Sequence, residues 1–273
     1  MRREQITVGQ KRIGYCAAES PVGGPRPQPL RTIVFLHAFP LNSEMWQPQL
    51  DAVPAGWRAI APDYRGFGGS SPVTPVTMND LAGDVVDLLD RLEIHEAVVA
   101  GCSIGGYVAF ELLASAPSYV KGLVLIDTRA GADTDEGKAG RRAMLEKVAT
   151  EGSGAIADAM TPKLLGASTQ RHRPDLVTHV HAMISSTDPQ AIAMAVSAMM
   201  DRKDMTASLG AITVPTLIIA GAEDTLIPAA AMEQMHAAIK GAAFHTIDAA
   251  GHLPSLEQPP AFDARLQEFL GQF

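Results

Sequence analysis

The sequence predicts an α/β protein with a doubly wound, mostly parallel, eight-stranded sheet and an inserted helical cap. Short runs rich in Val, Ile and Leu alternate with amphipathic stretches, which is the pattern of a parallel sheet with crossover helices. These runs are almost continuously apolar, as expected for strands that are buried on both faces. Between 129 and 208 the apolar runs stop and only helical patterns remain. We therefore expect 1–128 and 209–273 to form the core and 129–208 to form the cap.

The strands are predicted from eight apolar or β-branched runs. The first two, QITVGQ and RIGYCAA, have no helix between them, so we expect an antiparallel hairpin at the edge of the sheet. A Pro- and Gly-rich loop over 20–29 is expected to lead into the third strand. The remaining strands are predicted over 31–37, 57–63, 96–102, 120–127, 214–221 and 242–250.

The helices are predicted from apolar residues at helical spacing. In 78–94, for example, Leu81, Val85, Leu88 and Leu92 fall on one face. Similar patterns predict helices over 107–116, 230–240 and 259–270. Four further helical stretches fill the expected cap, and a cap that follows the carboxyl end of a strand covers the edge where such sheets bind ligands.

Composition excludes several classes of function. The chain has 273 residues, a net charge of -8 and a pI near 5.4, which argue against a nucleic-acid surface. No apolar run approaches the ~20 residues that span a bilayer, and MRREQ lacks the apolar segment of a signal peptide. Two cysteines are too few for a disulfide framework. We expect a cytoplasmic protein that acts on a small molecule, without a membrane or nucleic-acid partner and without a metal.

The stretch VVAGCSIGGYVAF predicts a nucleophile. It places Ser103 in a G-x-S-x-G pattern where a predicted strand meets a predicted helix. A serine held on such a sharp turn needs strained backbone angles, and bulky neighbours would collide. Gly101 and Gly105 remove those side chains. The hydroxyl then lies at the amino terminus of a helix, whose dipole stabilises negative charge.

A serine hydroxyl needs a base, and the base needs a carboxylate to orient it. His252 is the best of the eight histidines, because it lies in a Gly-flanked loop after the last predicted strand. Asp224 lies in the loop after the preceding strand, and neighbouring loops of this kind meet above a doubly wound sheet. Glu223 is a possible substitute. Asp127 competes for the same role, because it also ends a strand.

Acyl transfer also needs hydrogen-bond donors for the oxyanion. The backbone N–H of Ile104, directly after the nucleophile, is expected to be one of them. The second is expected from the loop after the third strand, LHAFPLN, with Phe39 as its donor.

These blocks resemble a known superfamily. Five blocks look like the motifs of the α/β-hydrolases: LHAFPLNSEMW, APDYRGFGGSS, GCSIGGYVAF, GAEDTLIP and AGHLPSLEQP. The candidate residues also follow the chain order Ser, Asp, His that is found in α/β-hydrolases. The resemblance covers 31–127 and 210–272. It is greatest to capped carboxylesterases, 3-oxoadipate enol-lactonases and cofactor-free haloperoxidases or perhydrolases. One departure is Ala38, which replaces the glycine of the usual His-Gly-Phe-Pro.

The resemblance implies a serine hydrolase that cleaves small carboxylic esters or lactones through an acyl-enzyme, without a cofactor. It also implies that Asp63 and Arg65 order the loops below the site. Enol-lactone hydrolysis is an alternative, and its anionic substrate would need a cation such as Arg129, Arg141 or Arg142. Carbon–carbon bond hydrolysis, peracid formation and a slow ligand receptor on the same fold are further alternatives. Trp46 either flanks the site or packs in the core.

Overall fold

A computed structural model describes residues 2–20, 30–72 and 76–273 of the chain, so most of the loop expected over 20–29 lies outside the described residues. Eight strands form one sheet, as the sequence predicts. They are Arg2–Val8 (β1), Lys11–Ser20 (β2), Arg31–Leu36 (β3), Trp57–Pro62 (β4), Ala97–Cys102 (β5), Val120–Ile126 (β6), Thr216–Gly221 (β7) and Ala243–Ile247 (β8).

The strand order is β1-β2-β4-β3-β5-β6-β7-β8. The first two strands form the predicted antiparallel hairpin at one edge, and β2 also pairs antiparallel with β4. From β4 to β8 every neighbouring pair is parallel. The central strands are fully buried along most of their length, which explains their continuous runs of Val, Ile and Leu.

The topology places a ligand-binding edge at β3 and β5. The chain leaves β3 to form β4 on one side and then crosses back to form β5 on the other side of β3. In open parallel sheets, ligands bind outside the carboxyl ends of the strands at such a reversal. The loop that contains Phe39 follows β3, and Ser103 follows β5, so both lie at this edge.

The helices alternate with the parallel strands. The helix α2 begins with a capping box, in which the side chains of Thr77 and Asp80 each accept from the other's backbone N–H, and it buries Leu81, Val85 and Leu88 as predicted. The sequence did not predict the short helices Gln47–Asp51 (α1), Ala167–His172 (α5) and Pro254–Glu257 (α9). The helices are Gln47–Asp51 (α1), Met78–Arg91 (α2), Ile104–Ser115 (α3), Asp135–Leu164 (α4), Ala167–His172 (α5), Pro174–Ser185 (α6), Pro189–Met200 (α7), Ala229–Ala238 (α8), Pro254–Glu257 (α9) and Pro259–Leu270 (α10).

The helices α4 to α7 form a continuous block between β6 and β7, which we call the inserted helices. Residues 129–208 are all described, and none of them lies in a strand. Within the block α4 packs against both α6 and α7. The helix α4 breaks at Gly152, where φ is 78°, and this break separates the two helical stretches that the sequence suggests there.

Trp46 belongs to the core. It is fully buried, its ring stacks on Phe35 with centroids 4.8 Å apart, and Phe262 of α10 lies beside it. Of its two interpretations, core packing is therefore the correct one.

Among the helices in the described part of the chain, none combines the length and the apolar character needed to cross a membrane.

Candidate active site

Ser103 lies on a strained turn between β5 and α3. Its φ of 55° and ψ of -115° are rare for a residue with a side chain, and such a conformation costs about 1–3 kcal/mol. A Cβ on Gly101 would lie 2.2 Å from the carbonyl oxygen of Gly105, and a Cβ on Gly105 would lie 2.3 Å from that of Leu36. The two glycines are therefore required by backbone contacts on both sides of the turn.

The end of β6 holds this turn in place. The N–H of Ser103 donates to the carbonyl of Ile126 over 2.9 Å. The hydroxyl of Thr128 donates to the carbonyl of Ser103 over 2.7 Å. A Cβ on Gly106 would lie 2.3 Å from that same hydroxyl, so Gly106 makes room for Thr128. Sequence reasoning missed Thr128, because nothing in LVLIDT distinguishes it from an ordinary residue after a strand.

His252 and Asp224 are in contact, as expected for neighbouring strand-end loops. The Nδ1 of His252 lies 2.8 Å from Oδ2 of Asp224, and both side chains are almost completely buried. The other oxygen of Asp224, Oδ1, accepts the backbone N–H groups of Leu226 and Ile227 over 2.7 and 3.2 Å. Burial by itself raises the pKa of Asp224, but the His252 ring and these N–H groups bring it below its ordinary value. Asp224 therefore holds its negative charge against His252.

Glu257 fixes the loop that carries His252, a role that sequence reasoning missed. It is 2 % exposed. Its Oε1 accepts the N–H groups of Gly251 and Leu253 over 2.8 and 3.1 Å, and its Oε2 accepts the N–H of Gly166 over 2.7 Å. The His252 loop is thus tied to the segment that follows α4. The available signal was the lone acidic residue in the stretch GHLPSLE.

Asp127 lies behind this pair. It is fully buried directly after β6, and its two carboxyl oxygens lie 3.0 and 3.2 Å from the N–H of Gly221. Its side chain also hydrogen-bonds with the carboxyl group of Asp224. Asp224 and not Asp127 therefore contacts His252. Cys102 is buried, with its Sγ 3.5 Å from the carbonyl oxygen of His252.

The loop after β3 is built around His37. Its Nε2 accepts the N–H of Tyr64 over 3.0 Å, and its Nδ1 lies 3.1 Å from the carbonyl of Ala38. Burial lowers the pKa of His37 to about 4, so the ring is neutral at pH 7 and both of its nitrogens lie against backbone groups of these loops.

Within the described part of the chain, the backbone N–H groups of Phe39 and Ile104 have no acceptor. These two amides are the predicted oxyanion donors, and both residues are buried.

Ala38, which replaces the usual glycine, lies buried in this loop and both of its backbone groups have partners. The N–H of Ala38 points at the sulfur of Met45 over 3.1 Å, and its carbonyl accepts the N–H of Leu41. Ala38 is itself completely buried.

Asp63 orders the loops as predicted. Its carboxylate accepts the N–H groups of Ser43 and Gly69, each over 2.8 Å. Arg65 binds the carboxylate of Asp84 on α2 with Nε–Oδ2 and Nη2–Oδ1 distances of 2.6 and 3.0 Å, and so ties the same turn to a helix.

Of the remaining candidates, two are engaged by other residues and one is exposed. Glu223 does not contact His252, because its carboxylate accepts both the N–H and the hydroxyl of Ser168. Arg141 is paired with Asp133 over 3.1 Å, and Arg142 is exposed on α4.

Arg129 is the one of the three candidate arginines next to the Asp224 loop. Its Nη2 donates to the carbonyl of Leu226 over 3.3 Å, and its buried Nε has no partner. Over 2–20, 30–72 and 76–273 no group of three or more His, Cys, Asp or Glu side chains is arranged to hold a metal ion.

Comparison with known proteins gives a consistent result. A family described as alpha/beta hydrolase fold matches residues 31–259. A 3-oxoadipate enol-lactonase of Acinetobacter baylyi is 30% identical over 241 residues, which is 88% of this chain and 88% of that protein. A thermophilic esterase from Thermogutta terrifontis superposes with a TM-score of 0.88 at 35% identity, over 100% of this chain and 99% of that one. The enol-lactonase from Burkholderia xenovorans superposes with the same TM-score at 28% identity, over 98% of this chain and 100% of that one.

Proposed function

Because the chain belongs to the alpha/beta hydrolase fold family, we propose that it is a serine hydrolase that cleaves small carboxylic esters or lactones through an acyl-enzyme intermediate. The esterase and enol-lactonase relatives support hydrolysis of esters or lactones. The observation that carries the serine mechanism is the turn at Ser103, whose φ of 55° is held between two glycines at the ligand-binding edge. Backbone strain of this kind is concentrated at active sites, where the surrounding structure holds a reacting group in place.

In the proposed mechanism Ser103 attacks the carbonyl carbon and His252 accepts its proton. The Nδ1 of His252 is engaged by Asp224, which leaves Nε2 as the nitrogen that acts as the base. The imidazolium that forms is stabilised by the adjacent carboxylate. His252 then returns the proton to the leaving alcohol, and a water molecule activated by the same nitrogen releases the acyl group from Ser103.

The proposed oxyanion donors are the amides of Phe39 and Ile104. Neither has an acceptor in the described part of the chain, so each is free to bind a developing negative charge. An oxyanion donor contributes about 3 kcal/mol to transition-state stabilisation in serine hydrolases. The amide of Ile104 is also the first of α3, where the helix dipole favours negative charge.

We further propose that residues 129–208 act as a cap on a core formed by 1–128 and 209–273. Two contacts support this proposal. The N–H of His252 donates to the carbonyl of Leu164 over 3.0 Å, and Glu257 accepts the N–H of Gly166. The inserted helices therefore touch the loop that carries the proposed base, and they cover part of the edge where the substrate binds.

The proposal is tested by hydrolysis of p-nitrophenyl esters from acetate to decanoate. We expect Ser103→Ala to reduce kcat by about 10³-fold or more, because the nucleophile is lost. Ser115→Ala, at the exposed end of the same helix, is the matched control and should keep wild-type turnover. Turnover by Ser103→Ala within about tenfold of wild type contradicts the proposal, because a lost nucleophile costs far more.

Enol-lactone hydrolysis is the second candidate, and one observation favours it. Arg129 lies next to the Asp224 loop and forms no ion pair with an acidic side chain among the described residues, so its positive charge remains to attract a substrate carboxylate. Arg129→Met should then raise the KM for a carboxylate-bearing lactone while the KM for a neutral ester of the same size is unchanged. An equal effect on both substrates counts against this candidate.

A further inference from the structure

Two buried carboxyl groups meet behind His252. The side chain of Asp127, at the end of β6, hydrogen-bonds with that of Asp224, which follows β7. Asp127 is fully buried, and Asp224 is 1 % exposed at its side chain. Two ionised carboxylates at hydrogen-bonding distance repel each other strongly in such surroundings, and a proton shared by the pair removes that repulsion.

The backbone around each group decides which one keeps the charge. Asp224 accepts three donors, namely the N–H groups of Leu226 and Ile227 and the Nδ1–H of His252. Asp127 accepts one, the N–H of Gly221. Hydrogen bonds from N–H donors stabilise the ionised form of a carboxyl group. The negative charge therefore belongs on Asp224 and the proton on Asp127.

We propose that Asp127 retains its proton at neutral pH and donates it in a hydrogen bond to Asp224, so that Asp127 is a positioning residue for the proposed triad. Asp127 accepts the N–H of Gly221, where β7 ends and the Asp224 loop begins. It also hydrogen-bonds with the carboxylate of Asp224 within that loop. It thereby fixes the plane of the carboxylate that orients His252. The catalytic part of this inference rests on the proposed function.

The surroundings of Asp127 agree with a neutral acid. Titratable groups face it from three directions: Cys102 on β5, Asp224 with His252 beyond it, and Glu257 on α9. No lysine or arginine in the described residues forms an ion pair with Asp127. Burial first, and then the charge of Asp224, raise the pKa of Asp127 well above its usual value.

Asparagine at position 127 is the discriminating variant. Its amide keeps a donor for Asp224 and an acceptor for Gly221, and asparagine tolerates the φ of 39° found there. Since a neutral Asp127 carries no charge to lose, Asp127→Asn should keep kcat within about threefold, with the acid limb of the kcat/KM profile at its wild-type pH. Asp127→Ala removes the donor, and kcat should fall by about 10–100-fold with little change in KM.

The opposite results overturn the proposal. If wild-type Asp127 is ionised, Asp127→Asn removes a negative charge near His252, and the acid limb moves to lower pH. If Asp127 only fills space, Asp127→Ala and Asp127→Asn have the same kcat. A failure of Asp127→Asn to fold also contradicts the proposal, because asparagine keeps both hydrogen bonds assigned to Asp127.

An infrared measurement separates this inference from the proposed function. In protein labelled with ¹³C-aspartate at pH 7, we expect the carbonyl band of a protonated carboxylic acid in wild type and in Ser103→Ala, and its loss in Asp127→Asn. A wild-type protein without that band contradicts the acid pair whatever its activity. If the band is present and ester turnover survives the Ser103→Ala substitution, the serine mechanism is refuted but the acid pair is not.

Discussion

Replacing Glu257 tests how the His252 loop is held. In Glu257→Gln, Oε1 can still accept the N–H groups of Gly251 and Leu253, whereas the amide nitrogen then faces the N–H of Gly166. One buried donor is left without an acceptor, and the free energy of unfolding should fall by about 1–3 kcal/mol. Glu257→Ala leaves all three donors without an acceptor, so the loss should be about 3 kcal/mol or more.

The two variants should differ in activity as well as in stability. Glu257→Gln keeps both bonds to the His252 loop, so its kcat should stay near the wild-type value. Glu257→Ala releases that loop, and misplacing a catalytic group by about 1 Å costs on the order of 10²-fold. Urea unfolding and p-nitrophenyl ester turnover measure the two effects, and the exposed Glu233→Gln is the control. If both variants are as stable and as active as this control, the hydrogen bonds of Glu257 do not hold the His252 loop.

Three further predictions concern the surroundings of the site. Gly105→Ala should destabilise the fold by about 1–3 kcal/mol and abolish ester turnover, because its Cβ would lie 2.3 Å from the carbonyl of Leu36. Gly83→Ala, in a helix with no atom within 4 Å of the new methyl group, should instead stabilise by about 0.5–1 kcal/mol in the same urea titration; equal effects would contradict the packing argument. Unfolded His37 binds a proton below pH 6.5 and folded His37 only near its pKa of about 4, so stability should fall by about 3 kcal/mol as the pH drops between these values. His37→Asn should flatten that profile, and an unchanged slope would show that another group causes it. Thr128→Val removes the hydroxyl that binds the nucleophile turn and should cost about 1 kcal/mol in unfolding free energy, whereas no loss would show that the bond is dispensable.

The sequence predicted those parts of the fold and site that have a local signal. The buried parallel strands show as continuous runs of Val, Ile and Leu, and the turn at Ser103 shows as flanking glycines that the backbone contacts require. The contact between Asp224 and His252 was expected because both follow neighbouring strands. Their catalytic roles remain a proposal.

What could not be predicted depends on contacts between distant segments. The position of β4 between β2 and β3 follows from the whole sheet, and no feature of WRAIAP specifies it. Asp127 and Asp224 each follow a strand, so the sequence favoured Asp224 but left Asp127 as an alternative. The bonds of Asp127 to Gly221 and of Asp224 to His252 decide between them. Glu257 was missed because its three partners lie on two segments that are far apart in sequence.

The most direct test of the central claim is to trap the nucleophile. A p-nitrophenyl phosphonate reacts with an activated serine and leaves a stable tetrahedral adduct, and peptide mapping by mass spectrometry locates the label. We expect one label per chain, on the peptide that contains Ser103, and none in Ser103→Ala. A label on another residue, or no label on protein that still hydrolyses p-nitrophenyl esters, would contradict it.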